Sequence, residues 1–149
     1  MLLTRLYPPH VFLLAVIAMA LLHWLLPVVI LIAGPWRFLA VVPLVASGAL
    51  AMPAIRAFRA ANTTTRPFEH SEALVTSGVY RLTRNPMYLG LLFFLAGIAV
   101  ALGSLTPWLG VIGFFVAIDR LFIAYEEPML AIRFGADYEA YKQKVRRWI

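Results

Sequence analysis

Cysteine is absent from this chain of 149 residues, and ionised side chains are few, with 13 basic and 7 acidic. Without cysteine there is no disulfide framework, no thiolate ligand for a metal and no mark of a redox compartment. Charged residues make up 13% of the chain and hydrophobic ones 62%. That excludes a disordered chain, and it excludes an ordinary water-soluble domain, which is about 25% charged and about 45–50% apolar. The bilayer is the solvent this composition fits. A net charge of +6 would suit nucleic acid, but no basic run precedes the C-terminus, so membrane topology accounts for it better. No spacing of His, Asp and Glu suggests a metal, and there is neither a Gly-rich phosphate loop nor a nucleophile elbow. One domain over residues 1–149 is expected, with no internal repeat.

What is present is a set of long apolar runs. Between Arg5 and Arg37 there is no ionised residue, and Val11–Ala33 reads as a first span. Ala18-Met19-Ala20 resembles a signal cleavage site, yet the apolar run continues past it, which favours a retained helix. Gly34-Pro35-Trp36-Arg37 reads as a turn, and Phe38–Ile55 as a second span with Pro43 and Pro53 as kinks. Arg56 to Arg84 changes character, with Arg59, Arg66, Glu69, Glu72 and Arg81 and the polar run from Asn62 to Thr65. That pattern predicts a long water-facing loop, and long loops are more often functional than idle. Asn85 to Ile118 would make one helix of about 51 Å, too long for a core of about 30 Å. Gly103 to Pro107 breaks it into a hairpin, Pro86–Leu102 and Pro107–Tyr125, whose first arm is short for a full crossing. The expected fold is therefore all-α and polytopic, with about four transmembrane helices followed by an amphipathic helix.

Four spans place both termini on one side with the 56–84 loop. Apart from Arg37, the basic residues gather there, so this face is expected to be cytoplasmic, at an inner or plasma membrane. All 6 tyrosines fall on the same side. They suit either an interfacial aromatic belt or the lining of a cytoplasm-facing pocket. At the C-terminus, Phe134, Tyr138, Tyr141, Val145 and Trp148 share one helix face, with Asp137 as N-cap and Lys142, Lys144, Arg146 and Arg147 at the end. Such a helix either lies on an anionic membrane surface or packs over a site as a lid.

Three local features go beyond anchoring. Asn85 before Pro86 makes a helix N-cap and first turn, and with Arg81 and Arg84 beside it the helix start favours an anion. Plain capping with positive-inside anchoring explains it equally. Glu126-Glu127-Pro128 sets two carboxylates at the membrane edge, about 100° apart on a helix, with a break or kink expected at Pro128 and the Ala124 carbonyl freed. This end favours a cation, or it is simply a solvated helix end. Asp119-Arg120 lies one to two turns deeper, and Arg120 shares a face with Glu127 as its expected ion-pair partner. His23 reads as a neutral packing residue. A ligand carrying both charges would fit between the two helix ends.

At these residues the chain resembles the superfamily of isoprenylcysteine carboxyl methyltransferases and phospholipid methyltransferases. The motif appears as Gly78, Tyr80, Arg84-Asn85-Pro86, Tyr88 and Gly90, then Glu126-Glu127, then Phe134-Gly135, Tyr138 and Tyr141, covering about residues 62–149. The resemblance implies S-adenosylmethionine as methyl donor, with S-adenosylhomocysteine as product. It implies a cofactor pocket made by Gly78, Tyr80, Arg84, Asn85, Pro86, Tyr88, Gly90, Glu126, Glu127, Tyr138 and Tyr141, closed by the C-terminal helix. A lipophilic amine, thiol or carboxylate acceptor would come sideways from the membrane lipids. Glu126, Glu127 and Arg120 are the candidate catalytic residues, with in-line methyl transfer drawing on positioning and desolvation. Two departures stand out: the family's usual His before Pro86 is Asn85, and Phe122, Ile123 and Ala124 fill the turn where prenylcysteine enzymes carry an arginine. Both lean toward the phospholipid branch and a neutral or amine acceptor. Two alternatives stay open, a membrane lipid or sterol reductase using NADPH and a non-enzymatic membrane interaction protein.

Overall fold

The computed structural model describes residues 7–61 and 73–149. Arg5, the polar run 62–65, Arg66, Glu69 and Glu72 lie outside them, as does the middle of the expected loop, whose first residues, 56–60, belong to the second long helix instead. Among the described residues the chain is all-helical: α1 (Pro8–Leu25), α2 (Val41–Ala60), α3 (Pro86–Leu102), α4 (Pro107–Ala117), α5 (Ala124–Phe134) and α6 (Ala136–Lys144). Three segments are long and apolar enough to cross a membrane, namely Pro8–Leu25, Gly34–Ala60 and Pro107–Phe134, while Pro86–Leu102 is a shorter apolar helix. Outward positions are apolar too, with Trp24 and Phe38 among the most exposed, as a lipid-facing surface requires.

The first span is shorter than expected. Pro27 cannot continue a helix and forces Leu26 out of helical geometry, so α1 stops at Leu25. Residues 26–33 leave the helix instead, turn tightly at Val28 (φ +55°) and cross the hairpin turn, with Ile30 bridged to Ser104. There Leu31 and Ile32 amides donate to Gly103 O at 2.8 and 3.0 Å, and the Leu105 amide donates to Val29 O at 2.9 Å. Gly103 has φ +79°, a left-handed cap that glycine adopts without steric cost. The expected turn at Gly34–Arg37 is a 3-10 helix, Gly34–Ala40, that leads into α2. Pro43 therefore sits in the first turn of α2, where a missing amide costs nothing, and only Pro53 lies inside the helix.

The hairpin appears as read, with α3 running from Pro86 to Leu102 and α4 starting at Pro107. Helix α3 packs on α2, α1 on α4, and α3 on α4. Met19, Leu95, Phe114, Ile118 and Phe122 fill the shared core. A second cluster, Ala54, Tyr80, Tyr138, Tyr141 and Val145, joins α2, the 78–81 turn and α6.

The fourth span departs most from expectation. It does not end at Pro128 but runs on to Phe134, with a π-helical stretch, Ile118–Ile123, ahead of the proline. Local π widening is one way a membrane helix accommodates a proline without breaking. The last helix also differs: its N-cap is Gly135 rather than Asp137, Phe134 belongs to α5, and the chain becomes extended at Val145.

Candidate active site

The first wall of the site is the segment between α2 and α3. Gly78 takes φ +61° and opens a 3-10 turn, Gly78–Arg81, that buries Tyr80. Tyr141 OH on α6 donates to Tyr80 O at 2.6 Å and fastens the two elements. Asn85 does hold the N-cap position of α3 and Pro86 its first turn, but the Asn85 side chain makes no capping bond. Its Nδ2 donates to Arg147 O at 3.0 Å, and Thr83 Oγ1 donates to the same carbonyl at 3.1 Å. The C-terminal tail thus crosses the helix start and takes the side-chain donors of Asn85 and Thr83, while Thr83 Oγ1 accepts from the Asn85 amide at 3.2 Å.

Arg84 joins this wall to the tail and to α5. Its amide donates to Arg146 O at 3.0 Å, and Nη1 donates to Lys142 O at 3.2 Å and Val145 O at 2.9 Å. Its Nη2 meets Glu127 Oε1 at 2.6 Å, and both side chains are nearly buried. Charge-assisted bonds of this length in a low-dielectric setting are strong, and losing Glu127 leaves the Arg84 guanidinium without its carboxylate.

The two adjacent glutamates serve different partners, as their angular separation requires. Glu126 Oε1 accepts from Tyr88 OH at 2.8 Å. Among the described residues no arginine or lysine nitrogen pairs with Glu126. Glu127 takes Arg84 on one side and Arg147 on the other, with Nη2 to Oε2 at 2.5 Å and Nε to Oε1 at 3.1 Å. Arg147 Nη1 also reaches Asp119 Oδ1 at 3.2 Å, and Trp148 Nε1 donates to that oxygen at 3.0 Å. The hydrogen bonds to Glu127 hold the Arg147 guanidinium above its ordinary pKa.

The expected pairing of Arg120 with Glu127 does not form. The π stretch inserts about one residue, so the register between positions 119 and 127 slips by about 100°. In that frame Asp119, eight residues before Glu127, comes onto its face and Arg120 turns away. Arg120 is 79% exposed and lies 3.7 Å from Asp119 Oδ2.

These elements enclose a cavity of about 480 Å³ counted to its open mouth, lined by Tyr80, Arg84, Asn85, Glu126, Glu127, Tyr138 and Tyr141 together with Phe58, Leu74, Ile123 and Leu130. Other candidates sit behind it. Tyr88 touches the site through Glu126, Pro86 is buried at the helix start, and Gly78 shapes the turn. Gly90 faces α2, where a Cβ would lie 3.1 Å from Ser47 O and from Ala51 Cβ, so its role is helix packing. Two buried polar atoms in the cavity wall, Tyr80 OH and Arg84 Nε, find no hydrogen-bond partner among the described residues. Burial, with Tyr141 and Glu126 nearby, pushes the Tyr80 phenol well above its usual pKa. It therefore stays a neutral donor. Burial likewise pushes Tyr138 and Tyr141 up to about 12.

Sequence reasoning missed Arg147 as a site residue, along with the apolar lining from Phe58, Leu74 and Leu130. One signal was available for Arg147: Asp119 and Glu127 leave more carboxylates on this span than Arg84 alone can answer. The apolar lining carries no local mark.

A family model described as phospholipid methyltransferase matches residues 35–137. An uncharacterised protein of Haemophilus influenzae is 49% identical over 63 residues, which are 42% of this chain and 100% of that protein. A probable protein-S-isoprenylcysteine O-methyltransferase of Oryza sativa subsp. indica is 42% identical over 81 residues, covering 52% of this chain and 41% of the rice protein. Protein-S-isoprenylcysteine O-methyltransferase A of Arabidopsis thaliana is 40% identical over 81 residues, again 52% of this chain and 40% of the relative. The chain thus spans about two fifths of the length of the plant methyltransferases it matches. No solved structure matches it.

Proposed function

Because the chain belongs to the phospholipid methyltransferase family, in the superfamily shared with the isoprenylcysteine carboxyl methyltransferases, we propose that it is an S-adenosylmethionine-dependent methyltransferase acting on a lipophilic acceptor in the bilayer. One observation carries this reading: Tyr80, Arg84 and Asn85 share a single cavity with Glu126, Glu127, Tyr138 and Tyr141, although the sequence scatters them.

The residues present fit the cofactor. Tyr80 OH and Arg84 Nε are buried donors without a partner among the described residues, suited to a carboxylate. Glu126 offers an acceptor that no described cation neutralises, suited to an ammonium or sulfonium. Bound there, S-adenosylmethionine would supply an electrophilic methyl group. The chain's part is to orient both reactants, exclude water through Tyr138, Tyr141 and Ile123, and hold charge at fixed positions. Tyr88 OH fixes the Glu126 carboxyl by its 2.8 Å bond, so that group is pre-positioned to take a proton or to face a cation.

The acceptor we favour is an amine or another group without negative charge. The turn before the glutamates presents Phe122 and Ile123, both buried, and Arg120 is turned outward, so no cation there awaits a carboxylate. The charged end of the bundle, with the cavity and the C-terminal helix, is the cytoplasmic side on this reading. Calorimetry on the detergent-purified protein tests the assignment. S-Adenosylhomocysteine should bind, and Glu126→Ala should weaken it at least about tenfold, equal to about 1.4 kcal/mol. Absence of binding to well-folded protein would sink it. Competition by NADPH instead would favour the reductase chemistry.

A further inference from the structure

The tail that follows α6 is anchored partly on residues that line the cavity and partly on Thr83, Asp119 and Phe115 beside it. Arg84, Asn85 and Glu127 line the cavity, and all three bind residues 142–147: Arg84 through Lys142 O, Val145 O and Arg146 O, Asn85 through Arg147 O, Glu127 through the Arg147 guanidinium. Upstream, Tyr138, Tyr141 and Val145 are buried, and Tyr141 OH is bonded to Tyr80 O. Helix α6 is therefore docked independently of the tail. Beyond Val145 the side-chain anchors are Arg147, on Asp119 and Glu127, and Trp148, on Asp119 and against the Phe115 ring.

Two features mark this clasp as exchangeable. The Arg147 side chain is 36% exposed, so water and salt reach its ion pairs. And with the clasp fastened, Tyr80 OH and Arg84 Nε still lack partners among the described residues, an unmet demand that a polar ligand would satisfy.

We propose that residues 146–149 form an ionic latch over the charged wall of the cavity, held by Arg147 across Asp119 and Glu127, and that its release admits a water-borne ligand. Arg147 and a cationic ligand group compete for Glu127. Asp119 is a positioning residue: it holds Arg147 in place from the far side of the π turn. The identity of the ligand rests on the function proposed above, whereas the latch does not.

The absence of cysteine from the 149-residue chain allows a clean ligand-free test in that chain. With Leu130→Cys as reporter in the cavity wall, a water-soluble thiol reagent should react at least about tenfold faster when Arg147→Ala is added. Asp119→Asn should act in the same direction, and so should salt near 1 M, where the Debye length is about 3 Å. Amide exchange at Arg84, whose N–H is held by Arg146 O, should quicken in step, while exchange around Leu95 in α3 stays slow. Lys144→Ala, an exposed side chain upstream of the latch, should change neither rate. Unchanged labelling and exchange in both Arg147→Ala and Asp119→Asn overturn the latch. Faster exchange with unaltered S-adenosylhomocysteine association overturns its role as a gate. Faster exchange and labelling in a protein that never binds S-adenosylhomocysteine keeps the latch and removes the ligand reading instead.

Discussion

The two ends of the helical bundle handle polar groups in opposite ways. At the hairpin end the polar side chains bond to local partners, the lone Arg37 included, whose Nε donates to Ile32 O at 3.2 Å. His23 Nδ1 lies 2.6 Å from Ser104 Oγ, Thr106 Oγ1 donates to Leu22 O at 3.1 Å, and residues 29–32 bond to the turn backbone. At the other end, arginines and carboxylates from the α2–α3 segment, α4–α5 and the tail interlock, yet two buried donors have no partner among the described residues. Polar groups that saturate one another terminate a fold. A charged network that leaves donors over is arranged for something else. His23, midway along an apolar run, reads in the sequence as a hydrogen-bonded packing residue, and its contact with Ser104 agrees with that.

Removing Glu127 should break the comparison most forcefully. Glu127→Ala strips Arg84 and Arg147 of their shared partner, and the Arg84 side chain is only 9% exposed. An uncompensated buried charge costs about 3–5 kcal/mol, so thermal unfolding in detergent should shift strongly downward. The double variant Glu127→Ala with Arg84→Ala should recover part of that loss. If the single and double variants melt together, the charged end is not a network.

Glu126→Gln should separate function from fold at the same end. The amide keeps the volume and an acceptor for Tyr88 OH, so melting should move by less than about 1 kcal/mol. S-Adenosylhomocysteine affinity should nonetheless fall at least about tenfold. Equal losses in melting and binding would reduce Glu126 to a structural residue.

How far the sequence was readable differs between the same two ends. The apolar runs and the Gly103–Pro107 break set out the hairpin, because periodicity and helix punctuation are local signals. The motif residues Tyr80, Arg84, Asn85, Glu126, Glu127, Tyr138 and Tyr141 were all named before any geometry and share one cavity. What could not be read was register. The π stretch at Ile118–Ile123 leaves no compositional trace, and without it a straight helix pairs Glu127 with Arg120 rather than turning it toward Arg147. Pro27 carried enough information to shorten the first span, but an unbroken apolar run outweighed it.

A milder substitution probes the hairpin end. Ser104→Ala leaves His23 without its partner, at about 1–3 kcal/mol for an unsatisfied buried group. Melting should fall accordingly, while affinity for S-adenosylhomocysteine and the labelling rate of a cavity cysteine stay at wild-type values. A loss of ligand affinity from this remote change would mean the two ends are coupled, and the contrast between them would have to be withdrawn.

The smallest effect is confined to alkaline solution. Tyr138 and Tyr141 hold their protons in the fold up to about pH 12, whereas in the unfolded chain a phenol ionises near pH 10. Between those values the native state binds more protons than the unfolded one, so stability falls as pH rises. It is fully present below about pH 10 and is lost through the pKa of the folded protein. Desolvation is the leading cause for both groups, and it acts only where α6 covers them. Melting temperature followed from pH 9 to 12 should therefore decline more gently in Tyr138→Phe, which removes one titrating group and keeps the ring. An identical slope in that variant would show that the alkaline loss arises elsewhere, with α6 too loosely docked to hold a phenol out of water.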